Sequence, residues 1–151
     1  VLSDGSKLSS SDFDNKCKFK IFRFDQIKFL RKRIKSSFAH SFLKENKIDL
    51  IFFDSWKPIE LLNFNTHAKK ICLVHGNEIL NQRKKDRILN SLNKADLIIF
   101  NSNYTKNKTI KNFKIPKKID QKIIYPAFIK KIFKSKIIKK KYDLCTVARL
   151  E

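Results

Sequence analysis

The sequence predicts an α/β fold in which a Rossmann-like parallel sheet has helices on both faces. Short apolar runs alternate along the chain with segments of helical periodicity, which is the order of elements that forms parallel sheets. Several of these runs are apolar throughout and end in polar residues, as expected for strands covered on both faces. The 151 residues are enough for one domain.

The first part of the chain predicts a loop, two strands and two helices. Residues 1–18 are polar and rich in turn formers, and a short strand is expected at 18–24. Apolar residues at 27–46 recur at helical spacing among Lys and Arg, which predicts an amphipathic helix. The run "IDLIFFD" at 48–54 predicts a central parallel strand, and a helix is expected at 57–65.

The same alternation continues to the end of the chain. We expect strands at 70–75, 96–101, 122–125 and 142–148, helices at about 82–94 and 103–113, and a basic linker at 130–141. Ser102 has the residue type and position of a helix N-cap.

The net charge of +21 comes from 35 Lys and Arg against 14 Asp and Glu. A charge of this size indicates a face for an anionic partner, either a membrane surface or a nucleic acid. The alternative is AT-rich codon usage, because Lys, Ile, Asn and Phe are all abundant and only two glycines occur. Arg is the residue best suited to forked phosphate contacts, and only six are present, which favours anionic lipid over nucleic acid.

The cysteines and the hydropathy pattern predict a cytoplasmic protein. They are also compatible with peripheral association with the inner face of the cell membrane. Cys17, Cys72 and Cys145 are far apart and odd in number, which favours free thiols in a reducing compartment. No signal peptide is recognised at the start, and no apolar run approaches the roughly 20 residues that span a bilayer.

Several enzyme classes lack their residues in this sequence. Glycine occurs only at positions 5 and 76, so neither G-x-G-x-x-G nor a P-loop is present. H-E-x-x-H, C-x-x-C and G-x-S-x-G are missing too, which argues against the common zinc sites and a serine hydrolase. We therefore expect neither a metal nor a cofactor.

Polar residues follow the predicted strands, where open parallel sheets bind their ligands. The candidates are Asp54 and Trp56, then His75, Gly76, Asn77 and Glu78, then Asn101 and Ser102, and finally Arg149. Each has a structural alternative. Trp56 is expected in the core, and Gly76 has the residue type of a turn. The start of a helix suits His75, Asn77 and Glu78, and a helix cap suits Ser102.

Four segments in order resemble glycosyltransferase family 4, which has the GT-B fold. They are "ICLVHGNE" at 71–78, "KADLIIFNSNYTKNKTI" at 94–110, "KIIYPAF" at 122–128 and "YDLCTVARLE" at 142–151. The resemblance spans about residues 48–151. It implies an acceptor-side N-terminal domain at 1–141 that is truncated at its start, and the first strand of a donor-binding domain at 142–151.

The resemblance also implies an activity and its site residues. It implies transfer of a sugar, with retention, from a nucleotide-diphosphate sugar to a saccharide or glycolipid acceptor, in cell-surface polysaccharide or glycolipid biosynthesis. His75 would contact the donor sugar as the catalytic residue, and Arg149 would bind the diphosphate. Gly76, Asn77, Glu78 and Ser102 would bind substrate. The isolated chain is expected to be inactive, because most of the donor half is missing.

One segment departs from the family pattern, and one different function stays open. Tyr125-Pro126-Ala127 stands where many members have Pro-Asn-Gly, so a contact made by that Asn-Gly is in doubt. The alternative function is a basic, non-catalytic nucleic-acid-binding protein, although no recognition motif is present.

Overall fold

The structure is a computed structural model that describes residues 1–6, 11–62, 65–79 and 81–127. Within these residues the chain forms two parallel sheets flanked by helices, which confirms the predicted α/β class. The predicted basic linker at 130–141, the strand at 142–148 and the domain boundary after 141 lie outside the described residues.

The larger sheet contains four parallel strands in the order β3-β4-β5-β6. The strands are β3 (Leu50–Phe53), β4 (Lys69–Val74), β5 (Leu97–Phe100) and β6 (Asp120–Ile123). The helices between them are α3 (Trp56–Ile59), α4 (Lys85–Leu92) and α5 (Asn103–Asn112), with short 3-10 turns at Asn77–Ile79 and Gln82–Lys84. Because spatial neighbours are also consecutive in sequence and parallel, each helix lies in a crossover between adjacent strands.

The smaller sheet pairs β1 (Leu2–Asp4) with β2 (Phe22–Phe24), and α1 (Ser11–Lys16) lies between them. The predicted loop at 1–18 is therefore wrong. Its order comes from an ion pair between distant residues, because the Arg23 guanidinium donates to both carboxylate oxygens of Asp14, at 2.6 and 3.0 Å. Arg23 also donates to the Asp4 backbone oxygen, and its hydrogen bonds lower the pKa of Asp14. A contact of this kind leaves no periodic signal in the sequence.

The long helix α2 (Lys28–Glu45) confirms the predicted helix at 27–46 and connects the two sheets. Its predicted amphipathic pattern is only partly right, because Ile27, Leu30 and Ile34 are exposed. Its Phe38 ring lies 4.7 Å from the Phe22 ring and 5.6 Å from the Phe24 ring, measured between centroids. On the other side, Ser36 Oγ donates to the Leu61 backbone oxygen at 2.7 Å, and Leu43 packs against the main core. None of the described helices is long and apolar enough to cross a membrane.

The core lies between the larger sheet and its helices. Its fully covered side chains include Trp56, Ile59, Cys72, Val74, Ile88, Leu92, Ile98 and Phe100. Trp56 is 1% exposed, so the expectation of a core tryptophan is confirmed. Burial, together with the negative charges of Glu78 and Asp54, raises the pKa of Cys72 to about 12, which keeps this thiol protonated.

Strand β3 was predicted to be central, but it lies at the edge of the described sheet. Leu50 is 51% exposed and Phe52 is 54% exposed, although the run is apolar throughout. An apolar run indicates that both faces of a strand can be covered, but it does not show how many strands pair with it. Hydropathy gives only the tendency of a run to be buried and contains no information about pairing, so it predicted neither the edge position nor the exposure of Leu50 and Phe52.

Two other boundaries differ from the prediction. The helix expected at 57–65 is a single turn, because the chain continues in i-to-i+3 hydrogen bonds from Leu61 to Pro58 and from Leu62 to Ile59. The strand expected at 122–125 starts earlier, at Asp120, which pairs with Leu97.

Replacing Phe38 with Ala should lower the free energy of unfolding by about 2 kcal/mol, because the variant loses the packing between α2 and the smaller sheet. The matched control is Phe29→Ala on the same helix, where the ring is 65% exposed. We expect less than about 1 kcal/mol for this control. Urea unfolding followed by far-UV circular dichroism measures both, and equal losses would contradict the assigned packing of α2.

Candidate functional site

The carboxyl ends of β4 and β5 lie side by side. Val74 pairs in register with Phe100, so the loops that follow the two strands are neighbours. A Cβ atom built on Gly76 would lie 3.5 Å from Thr105 Oγ1, which shows that the loop after β4 contacts the first turn of α5. This edge is where open parallel sheets bind ligands.

The loop after β4 contains four of the residues predicted from the sequence, His75, Gly76, Asn77 and Glu78. His75 is exposed, and its backbone N–H donates to Glu78 Oε1 at 3.1 Å. Ile79, which is 3% exposed, anchors the 3-10 turn in the core, so the Glu78 carboxylate is held at the His75 backbone. Asn77 begins this turn, but its side chain is outside the described part of the chain.

Glycine is not required at position 76 by the backbone alone. Among the described glycines only Gly5 has a positive φ, and a Cβ at Gly76 would make an ordinary van der Waals contact. The turn would therefore accept other residues. Close approach of a ligand to the backbone stays the functional hypothesis for this glycine.

Charges from His75 and from the segment after β3 act on the carboxylate of Glu78. Burial raises the pKa of Glu78, and the negative charge of Asp54 raises it further. Three effects lower it: the hydrogen bond from the His75 backbone, the charge of His75 and the charge of Lys57. Asp54 follows β3 and Lys57 lies in α3, so charges from this part of the chain act on the Glu78 carboxylate. Lys57 was not among the predicted site residues, because a single lysine gives no signal in a chain with this charge.

The N-terminus of α5 is capped as predicted. Ser102 Oγ accepts the Thr105 N–H at 3.1 Å, and Thr105 Oγ1 donates to Asn101 Oδ1 at 2.7 Å. The capping role of Ser102 is therefore confirmed, whereas its contact with a ligand stays a prediction. The partial positive charge of a helix N-terminus favours an anionic group at this position.

The segment after β6 joins the same edge through a pair that the sequence did not reveal. Asn103 Nδ2 donates to the Tyr125 hydroxyl at 2.8 Å, while the Tyr125 side chain stays 61% exposed. Tyr125 belongs to the segment that departs from the family pattern. The sequence shows that Tyr125 departs from the family pattern. It does not show that Tyr125 forms a hydrogen bond with Asn103, 22 residues earlier.

A groove of about 830 Å³ lies at the opposite edge, among the amino ends of β4, β5 and β6. Two of its charged residues are engaged with one another, because the Lys70 backbone N–H donates to Asp96 Oδ2 at 2.7 Å and the Lys70 amine lies 3.6 Å from the same carboxylate. Because open parallel sheets bind their ligands at the carboxyl ends of the strands, we assign the candidate site to the carboxyl edge.

The structure does not test two predictions about the site, which are diphosphate binding by Arg149 and catalysis without a metal. Arg149 lies outside the described residues, so diphosphate binding by its guanidinium stays a prediction. Within the described ranges no group of three or more His, Cys, Asp or Glu is placed to hold a metal ion. The prediction that no metal is required is not tested by this observation.

Comparison with known protein families gives a match over most of the chain. The sequence model of the family described as Glycosyltransferase Family 4 matches residues 10–126, which is more than three quarters of the chain. The match includes both loops of the candidate site and ends before Arg149. Comparison with curated proteins and with solved structures gave no significant match.

Replacing Ser102 with Ala should lower the free energy of unfolding by about 1 kcal/mol, because the Thr105 N–H loses its acceptor. Ser102→Asp keeps an acceptor oxygen and should retain most of the stability. Ser41→Ala, at an exposed position within α2, is the matched control and should cause no loss. Thermal unfolding measures all three, and an unchanged Ser102→Ala variant would show that the cap does not stabilise the fold.

Replacing Glu78 with Gln should change how stability depends on pH. The pKa of this carboxyl is higher in the folded protein than in the unfolded chain. Its contribution to stability is therefore fully present at a pH below the pKa of the unfolded chain, and it is lost as the pH rises through the pKa of the folded protein. The Gln variant cannot ionise, so its stability relative to the unmodified protein should be higher at pH 7 than at pH 4. Urea unfolding at both pH values measures the difference, with Glu45→Gln at the exposed end of α2 as control. A difference in the opposite direction would contradict the burial of the Glu78 carboxylate.

Proposed function

The chain belongs to glycosyltransferase family 4, and from this premise we propose that it acts on a nucleotide-diphosphate sugar as donor and a saccharide or glycolipid as acceptor. Family membership supports sugar transfer in general, whereas the donor class, the acceptor class and retention of configuration are parts of the proposal. The observation on which it rests is the polar edge where the loops after β4 and β5 meet.

His75 is proposed to contact the donor sugar. Its side chain is exposed at the end of β4, and its backbone is held by the hydrogen bond to Glu78. An imidazole can donate or accept a hydrogen bond according to its tautomer, so it can bind a sugar hydroxyl and orient the ring. Glu78, with its raised pKa, can accept a hydrogen bond from an acceptor hydroxyl.

The leaving diphosphate is proposed to bind between two positive groups. The N-terminus of α5, capped by Ser102, offers a partial positive charge, and Arg149 offers the forked donors that suit phosphate oxygens. Transfer would then depend on positioning the two sugars and stabilising the charge that develops on the diphosphate. This chemistry requires no metal from the protein.

The biological setting is also a proposal. Family resemblance favours synthesis of cell-surface polysaccharide or glycolipid on the cytoplasmic side of the membrane, where nucleotide sugars are made. The alternative of a nucleic-acid-binding protein was predicted from the positive charge and from lysines interleaved with aromatic residues, and no contact among the described residues favours it.

In the protein encoded by the complete reading frame, His75→Ala should lower kcat about a hundredfold or more, because the donor sugar loses an orienting contact. The melting temperature should stay unchanged, since the side chain is exposed. His67→Ala is the matched control, because His67 is also exposed but lies at the amino end of β4. Activity is measured with a set of nucleotide sugars, and the anomeric configuration of the product is determined by NMR.

Two outcomes would contradict this role. One is an early-melting His75→Ala variant whose remaining folded fraction is fully active, which would make His75 a structural residue. The other is an equal loss of activity in His67→Ala. A product with inverted anomeric configuration would contradict the proposed retention of configuration, but it would still support glycosyl transfer.

A further inference from the structure

We propose that the ring of Tyr125 is a platform on which a sugar ring of the acceptor stacks, and that Asn103 positions this platform. The inference rests on the proposed function, because it requires an acceptor that contains a sugar. It adds the residue that recognises this sugar and the kind of contact by which it does so.

Tyr125 lies at the same carboxyl edge as the candidate site. Ile123 of β6 pairs with Phe100 of β5, and the Ile124 N–H donates to the Phe100 backbone oxygen at 2.9 Å. Tyr125 therefore follows β6 at the level where β5 ends and α5 begins. The first turn of α5 contacts both the loop after β4 and Tyr125. Because neighbouring strands lie about 4.8 Å apart, the loop containing His75 and the segment of Tyr125 are about 10 Å apart, on either side of the start of α5.

The Tyr125 ring is exposed and yet held in place. Its side chain is 61% exposed, and Asn103 Nδ2 donates to its hydroxyl at 2.8 Å. The residue before a proline is restricted to extended backbone conformations, and Pro126 follows Tyr125. Both constraints reduce the conformational entropy that this residue loses when a ligand binds, and such preorganisation raises affinity.

The faces of the Tyr125 ring are open to a ligand. Within the described residues, neither an aromatic ring nor a basic side chain lies over this ring. Tyr104, in the first turn of α5, is exposed to a similar extent, but the Lys108 amine lies 5.7 Å from the centre of its ring. One face of Tyr104 therefore already has a cationic partner, which makes Tyr125 the better platform.

A sugar ring matches the chemistry around Tyr125. The C–H groups on one face of a pyranose are weakly positive, so they are attracted to the negative face of an aromatic ring. The sugar hydroxyls also need polar partners beside the platform. Asn103 Oδ1 forms no hydrogen bond within the described residues and can accept one, and the Tyr125 hydroxyl can still donate its own proton.

The acceptor fits this position better than the nucleoside of the donor. A transfer with retention replaces the diphosphate by the acceptor on the same face of the donor sugar. The acceptor must therefore approach from the side of the leaving diphosphate, which is proposed to bind at the start of α5. Tyr125 lies beside the start of α5, on the side away from His75.

The test is the binding of methyl β-D-glucopyranoside and methyl β-D-galactopyranoside to the protein encoded by the complete reading frame, followed by saturation-transfer-difference NMR. We expect weak, millimolar binding in which saturation passes mainly to the protons on one face of the pyranose. Tyr125→Ala should weaken this binding about fivefold to tenfold, because the stacking contact is lost. Phe19→Ala is the matched control, because it removes another exposed ring, before β2 in the smaller sheet, and should leave binding unchanged.

A conservative variant separates stacking from a structural role. Tyr125→Trp keeps an aromatic face and should bind the pyranosides within about twofold of the unmodified protein. Circular dichroism and the melting temperature verify that each variant is folded, which we expect because the Tyr125 side chain is exposed.

The positioning role of Asn103 has its own test. Asn103→Ala and Tyr125→Phe each keep the ring and remove the same hydrogen bond, so each should weaken pyranoside binding about twofold to threefold. The double variant should bind no more weakly than either single variant, because both changes remove one interaction. Losses that add in the double variant would contradict the role of Asn103.

Four results would contradict stacking on Tyr125. They are no pyranoside binding by the unmodified protein, unchanged binding by Tyr125→Ala, an equal loss in Phe19→Ala, and an equal loss in Tyr104→Ala. A Tyr125→Ala variant that binds uridine or guanosine monophosphate more weakly, with pyranoside binding unchanged, would assign the ring to the donor nucleoside instead.

The transfer reaction separates failure of this inference from failure of the proposed function. In a protein that transfers sugar, Tyr125→Ala should raise the KM for the acceptor about fivefold to tenfold and leave the KM for the nucleotide sugar unchanged. An unchanged KM for the acceptor would contradict the role of Tyr125 alone. A protein that transfers no sugar from any nucleotide sugar would contradict the proposed function itself.

Discussion

The parallel pairing of β4 with β5 is the constraint on which the candidate site depends. Because Val74 and Phe100 are in register, the two strands end at the same level. The loop containing His75 and Glu78 is therefore brought against the capped start of α5, and Gly76 lies next to Thr105. A slip of one residue in this register would turn the strand faces over and separate these groups.

Helix α2 has a second organising role, because it is the element that packs against both sheets. Its aromatic side chains pack on Phe22 and Phe24 of the smaller sheet. Ser36 donates a hydrogen bond to the backbone after α3, and Leu43 packs against the core beneath the larger sheet. The contacts on this inner side use only part of the apolar surface of the helix. Phe29 and Leu30, near the start of the same helix, stay exposed.

The sequence predicted the elements whose signals are local. The buried strands β4 and β5, helix α2 and the cap at Ser102 follow from apolar runs, helical periodicity and residue type, and the structure contains all of them. Features that depend on distant contacts were missed. The Arg23–Asp14 pair joins α1 to β2, and neither this pair, the edge position of β3 nor the Asn103–Tyr125 hydrogen bond can be inferred from neighbouring residues.

The central claim is that substrate binds at the carboxyl ends of β4 and β5. Hydrogen–deuterium exchange of the protein encoded by the complete reading frame, with and without uridine and guanosine diphosphate sugars, tests it directly. The account predicts that a bound donor slows exchange in the loops at 75–79 and 101–105 and leaves the amino ends of the same strands unchanged. Protection confined to the groove at Lys69, Lys70 and Asp96, with no change in those two loops, would contradict it.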